Sequence, residues 1–173
     1  MMTMIRHRYP FRFAAAAPWV VGVLLVLGSA FLPRPPAADA QQNLVVWNDQ
    51  EKPIAQQLSG LRKLPDDVRA AATKQLALQI RSLPATPNKL RLANGLANLS
   101  TEGDFGRDTL QEVTTTLAEA LREEPPPEVK GQPAEQVLEL AQLVRYEHMR
   151  ASLDSPQFAA AMARLAAEDQ RRQ

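Results

Sequence analysis

The stretch that most constrains this chain is residues 64–121, LPDDVRAAATKQLALQIRSLPATPNKLRLANGLANLSTEGDFGRDTLQEVTTTLAEAL. Three helical patterns follow one another in it, joined by short turns and with no strand pattern between them. Each pattern carries an apolar stripe on one face, and such stripes must be buried against other helices. Composition agrees. Apolar residues make up 45% of the 173 positions but aromatics only 5%, so the apolar content is mostly Ala, Leu and Val. That mixture suits helix-on-helix packing better than a β-sandwich.

The spacing predicts a first helix over 53–64, with Ile54, Leu58 and Leu61 on one face and Pro53 at its first position. A second is expected over 66–83, burying Val68, Ala72, Leu76, Ile80 and Leu83 and leaving Arg69, Lys74 and Arg81 largely outside the stripe. Asp66 and Asp67 sit at its start, where acidic side chains favour the helix N-terminus. Thr86 followed by Pro87 is a cap signature, and a third helix is expected over 87–101 with Leu92, Leu96 and Leu99 on one face. A fourth is expected over 107–123, where Leu110, Val113, Leu117 and Ala120/Leu121 recur at helical spacing. Thr114, Thr115 and Thr116 are poor helix formers and mark either a tight interface or a weak point. Pro125, Pro126 and Pro127 stop that helix. A fifth is expected over 133–151 with Val137, Leu140, Ala141 and Val144 inward. Asp154-Ser155-Pro156 begins a sixth over 156–170 that buries Phe158, Met162 and Leu165.

The expected fold is therefore all-α: about five or six amphipathic helices stacked as antiparallel hairpins, preceded by a hydrophobic N-terminal helix. The expected division is a targeting segment over 1–40, a linker or strap over 41–52, core hairpins over 53–123, a Pro-rich connection over 124–132 and a C-terminal hairpin over 133–173.

Residues 1–40 have the three parts of a secretory signal. Arg6, His7, Arg8 and Arg12 precede the apolar run WVVGVLLVLGSAFL over 19–32, and Ala38-Asp39-Ala40 offers a cleavage site. The uncharged run over 13–32 also has the 20 residues that a membrane anchor needs. Cleavage after Ala40 predicts a periplasmic or extracellular protein. Retention predicts an inner-membrane anchor with the body outside the cytoplasm. Either way, contact with the membrane is through this segment.

Charge and cysteine narrow the chemistry. After residue 40 the chain carries 16 basic and 18 acidic side chains, a slightly acidic body that speaks against nucleic acid as a partner. It has no cysteine, which excludes disulfides, thiolate metal sites and a cysteine nucleophile. No Gly-rich phosphate loop, G-x-S-x-G elbow or H-E-x-x-H pattern is present. Asp66 and Asp67, adjacent on a helix, point about 100° apart and do not converge on one substrate atom. Asp104 and Asp108, four apart, read as a turn residue and a first-turn acid before they read as a hydrolytic pair. The sequence thus points to no catalytic residue, no cofactor and no metal site.

Five residues stand out as candidates for contact with a partner. Trp47 follows the apolar Leu44-Val45-Val46 and either packs on the first helices or stacks on a ligand. Arg91, Asn94 and Asn98 recur along one side of the third helix and line either a polar groove or a solvated edge. His148 is expected near the end of the fifth helix, where an imidazole interacts favourably with a helix C-terminus.

Two resemblances add to this reading. Leu96-Ala97-Asn98-Leu99, then Gly103-Asp104-Phe105, Leu110 and Ala118-Glu119-Ala120-Leu121, resembles a tetratricopeptide-type helical hairpin, although no second copy stands at a 34-residue period. The run over 44–168 is similar to the helical segment that precedes a thioredoxin-like redoxin domain in some exported bacterial proteins. The residues that carry this are Leu64-Pro65-Asp66-Asp67-Val68-Arg69, Leu90-Arg91-Leu92-Ala93-Asn94-Gly95-Leu96-Ala97 and the tail over 146–173. In that family a Cys-x-x-Cys domain follows such a tail, so the resemblance implies an accessory or truncated redoxin part without thiol chemistry of its own. The residues alone imply an exported, non-catalytic helical module that binds a protein or peptide.

Overall fold

The computed structural model describes residues 45–173. The expected export signal or anchor over 1–40, with its hydrophobic helix, lies outside the described residues. Among the described residues there are six α-helices and no strand: α1 (Glu51–Gly60), α2 (Asp66–Arg81), α3 (Pro87–Ser100), α4 (Arg107–Glu123), α5 (Glu135–Arg145) and α6 (Pro156–Arg172), with a 3₁₀ turn at Leu61–Lys63. The fold is all-α. None of these helices is long and apolar enough to cross a membrane.

Each helix packs against the next, and α1, α2 and α3 also pack against the second next, α3, α4 and α5 respectively. The most extensive pairings are α2 with α4, α3 with α4 and α5 with α6. One core results, with Leu76, Ile80, Leu92, Leu96, Leu117, Leu121, Leu140 and Leu143 almost fully buried. Burying a leucine or isoleucine side chain contributes about 1.5–3 kcal/mol, so these eight positions carry much of the cohesion.

The threonine run of α4 marks the tight interface. Thr114, Thr115 and Thr116 each direct a hydroxyl to the carbonyl four residues back. The Thr116 hydroxyl also lies 3.1 Å from the Ala77 carbonyl of α2. Arg81 of α2 fastens the same face, with Nη2 2.7 Å from Glu112 Oε2 and 3.1 Å from Thr116 Oγ1. Lys89 of α3, almost fully buried, joins the Arg81 carbonyl at 3.0 Å and Glu123 of α4 at 2.6 Å.

Several boundaries and burials differ from expectation. α1 starts at Glu51 rather than at residue 53 because Asn48 and Glu51 form a capping box. Asn48 Oδ1 accepts from the amides of Gln50 and Glu51, both at 2.9 Å, and the Glu51 carboxylate accepts from the Asn48 amide at 2.9 Å. Val68, expected in the core, is 48% exposed, because burial along α2 begins only at Thr73. Arg69, expected outside, lies over the Phe105 ring, 5.0 Å from its centroid, and pairs with Asp66. α5 is the largest correction: it ends at Arg145, not at residue 151. Gln111 of α4 takes hold of the chain beyond it, donating to the Arg150 carbonyl at 2.8 Å and accepting from the Arg150 amide at 2.9 Å. Arg107 donates to the His148 carbonyl at 2.9 Å.

The Pro-rich connection is anchored in the same way. Gln157 of α6 donates to the Pro126 carbonyl at 2.8 Å and accepts from the Ala134 amide at 3.0 Å. At its tip Val129 and Gln132 exchange two backbone hydrogen bonds of 3.1 Å around Lys130 and Gly131. Both central residues have positive φ, 55° and 71°, the geometry of a mirror-image two-residue hairpin turn.

Candidate partner-binding groove

Trp47, Arg91 and Asn98, singled out separately in the sequence, line one open groove of about 510 Å³ between α1 and α3. Its floor is apolar. Leu58 of α1 and Leu92 and Leu99 of α3 form it, with Trp47 standing at one side. Gly95 brings the two helices close at this point: a Cβ there would lie 3.2 Å from Leu58 Cδ2. Trp47 is half-buried and packs on the core, so it is a wall of the groove and not a free side chain.

The wall is held by a residue that sequence reasoning passed over. Glu51 is 2% exposed. Its Oε2 accepts from the Asn48 amide at 2.9 Å and from Asn88 Nδ2 at 2.8 Å, and its Oε1 lies 3.5 Å from Thr86 Oγ1. The Asn88 amide also donates to the Val46 carbonyl at 3.0 Å, which ties down the strap next to Trp47. No cation of the described residues pairs with Glu51. Two helix starts replace it, since Glu51 stands in the first turn of α1 while Thr86 and Asn88 cap and open α3. The partial positive charge at a helix N-terminus favours a carboxylate there. The findable signal was the Asn48-x-x-Glu51 spacing ahead of an apolar run. That spacing does not reveal the long-range half of the contact, with Thr86 and Asn88.

The edges of the groove are cationic and amide. Arg62 forms a two-pronged pair with Glu102, with Nε 2.8 Å from Oε2. That pairing holds the exposed Glu102 carboxyl below the usual carboxylate range and raises Arg62. Arg91 is exposed and makes no ion pair among the described residues. Asn98 is exposed as well.

The other two candidates lie elsewhere. Asn94 is on α3 but does not line the groove, and its Oδ1 is buried without a hydrogen-bond partner. His148 lies beyond the end of α5, exposed and with a positive φ of 54°. Its carbonyl, not its imidazole, makes the contact with Arg107. A second cleft, of about 350 Å³, lies near it between the Gly103–Gly106 turn and Met149, with Asp104, Arg107 and Glu147 at its rim. Among the described residues no group of three His, Asp or Glu side chains is placed to hold a metal ion.

Comparison with protein-family models, with curated proteins and with solved structures found no match.

Proposed function

We propose that this chain is an exported, non-catalytic helical module whose α1–α3 groove binds a segment of another protein. The observation that carries the reading is the convergence of Trp47, Arg91 and Asn98 on one apolar-floored groove. The half-buried Leu58 and Leu99, over the buried Leu92, offer transferable apolar area, and a half-buried tryptophan is a favoured anchor at protein interfaces. The succession of contacts, each helix on the next and the early ones on the second next, supports stacking in the manner of tetratricopeptide hairpins. The basic and apolar parts of residues 1–40 support export, with the body carried outside the cytoplasm.

The test is a photo-crosslinking side chain at position 98, with position 74 on the exposed side of α2 as control. Adducts in the native envelope at 98 and not at 74 are the expected result. Equal labelling at both positions, or none at 98, overturns the assignment of the groove.

A further inference from the structure

The groove's charge specifies what it binds, given that it is a binding groove at all. Its apolar floor requires bulky aliphatic or aromatic side chains from the occupant. Both ionisable residues that line it, Arg62 and Arg91, are arginines, and no carboxylate lines it. Arg62 is already compensated by Glu102, whereas Arg91 has no ion-pair partner among the described residues. Arg91 and Asn98 stand seven positions apart on α3, which is about two turns, or some 10 Å along the axis. Both project to the same side, because seven residues return a helix nearly to its starting angle.

We propose that the occupant is an acidic amphipathic segment of a partner protein. Its apolar face fills the floor between Trp47, Leu58 and Leu99, and a carboxylate meets Arg91. A second group that can bond an amide, about two turns further along, meets Asn98. A guanidinium meets a carboxylate through two parallel hydrogen bonds, which fixes the register of the segment as well as attracting it. A basic segment of the same apolar pattern would bring like charge against Arg91 and is excluded. The Glu51 latch keeps Trp47 in place before the partner arrives, so little ordering is required on binding.

The test uses the full chain with Trp19→Phe, so that Trp47 is the only tryptophan. The probes are a leucine-faced helical peptide flanked by glutamates, the same peptide with lysines for glutamates, and an all-polar glutamate peptide. Binding of the first alone, with Trp47 shielded from acrylamide, is expected. Its affinity should fall about tenfold on Arg91→Glu and by less on Arg91→Lys, which keeps the charge but not the paired hydrogen bonds. It should weaken as salt is raised. Equal binding of the lysine peptide overturns the inference, as does an unchanged affinity for Arg91→Glu with an unchanged helical spectrum. A dimer of the chain that is broken by Trp47→Ala also overturns it, because the occupant is then a second copy. Adducts at position 98 that the lysine peptide displaces and the glutamate peptide does not would sink the acidic partner while leaving the binding role intact.

Discussion

The strap before α1 and the segment after α5 are both irregular chain pinned to helices, but opposite chemistry pins them. The strap depends on one buried carboxylate, Glu51, which gathers the Asn48 amide, the Asn88 side chain and the Thr86 hydroxyl. The segment after α5 is held without a buried charge: Gln111 takes both backbone groups of Arg150 through its neutral amide, and the exposed Arg107 donates to the His148 carbonyl. A charged acceptor makes stronger hydrogen bonds than a neutral one but concentrates them on a single side chain. After α5, Gln111 and Arg107 spread the same task over separate, exposed contacts. The groove is thus built on the attachment with the most at stake, and the C-terminal loops on attachments that give way one at a time.

Glu51→Ala should have the largest effect. It strands part-buried donors at the starts of α1 and α3 and should cost about 2 kcal/mol, read as a lowered denaturation midpoint at unchanged slope. Glu51→Gln, which keeps the shape but adds a donor where acceptors are needed, should recover only part of that. A loss under 1 kcal/mol for Glu51→Ala would erase the distinction between the two attachments.

Gln111→Ala should cost about 1 kcal/mol, because its contacts are neutral and partly exposed. Hydrogen exchange at the Arg150 amide should speed up while the amides of α2 and α3 keep their protection. Global loss of protection would mean that the clasp belongs to the core after all.

Relief of backbone strain should act in the opposite direction. His148 and Lys130 are the two described non-glycine residues with positive φ. A left-handed conformation costs an L-residue about 1–2 kcal/mol, partly offset in glycine by a more flexible unfolded chain. His148→Gly and Lys130→Gly should therefore each raise thermal stability by about 0.5–1 kcal/mol. A loss at position 148 alone would reveal a stabilising role for the imidazole.

The smallest effect concerns two exposed or half-buried carboxyls with opposite shifts. Glu139 of α5 is pushed up, first by burial and then by Glu135 nearby. The folded state then holds that proton more tightly than the unfolded chain, so stability falls as pH rises from the ordinary carboxylate pKa through the raised one. Glu139→Gln should raise the melting temperature near neutral pH, with the gain vanishing in acid. Glu102 is held down by Arg62, so whatever its pair contributes is present above the ordinary carboxylate range and fades as pH falls through the lowered value. Melting curves across pH on the Arg62→Ala chain should show that small loss only at the upper end.

The helices themselves were largely legible in the sequence. α4 falls on its expected bounds because a clean apolar period lies between Gly106 and three prolines. Thr86 and Ser155 cap α3 and α6 through their side chains, as the Thr-Pro and Ser-Pro pairs imply. The end of α5 was not legible: no breaker stands between Arg145 and Ala151, and the helix stops because Arg107 and Gln111, about forty positions away, hold the backbone elsewhere. Of the candidate residues, Trp47, Arg91 and Asn98 share a groove because α1 packs on α3, a pairing that no local pattern encodes. Asn94, in the same sequence stripe, is turned just far enough around α3 to miss it. Glu51 was passed over in the sequence because a carboxylate is rarely buried. Only the approach of Thr86 and Asn88 makes its burial tolerable.

The most direct test is the environment of Trp47 when its latch is removed. In the full chain carrying Trp19→Phe, emission and acrylamide quenching should report a partly shielded indole. Glu51→Ala should shift the emission to the red and raise the quenching severalfold at a temperature where the helical circular dichroism signal is unchanged. Unchanged emission and quenching in that variant would contradict a Trp47 wall held by Glu51, and with it a groove prepared in advance for a partner.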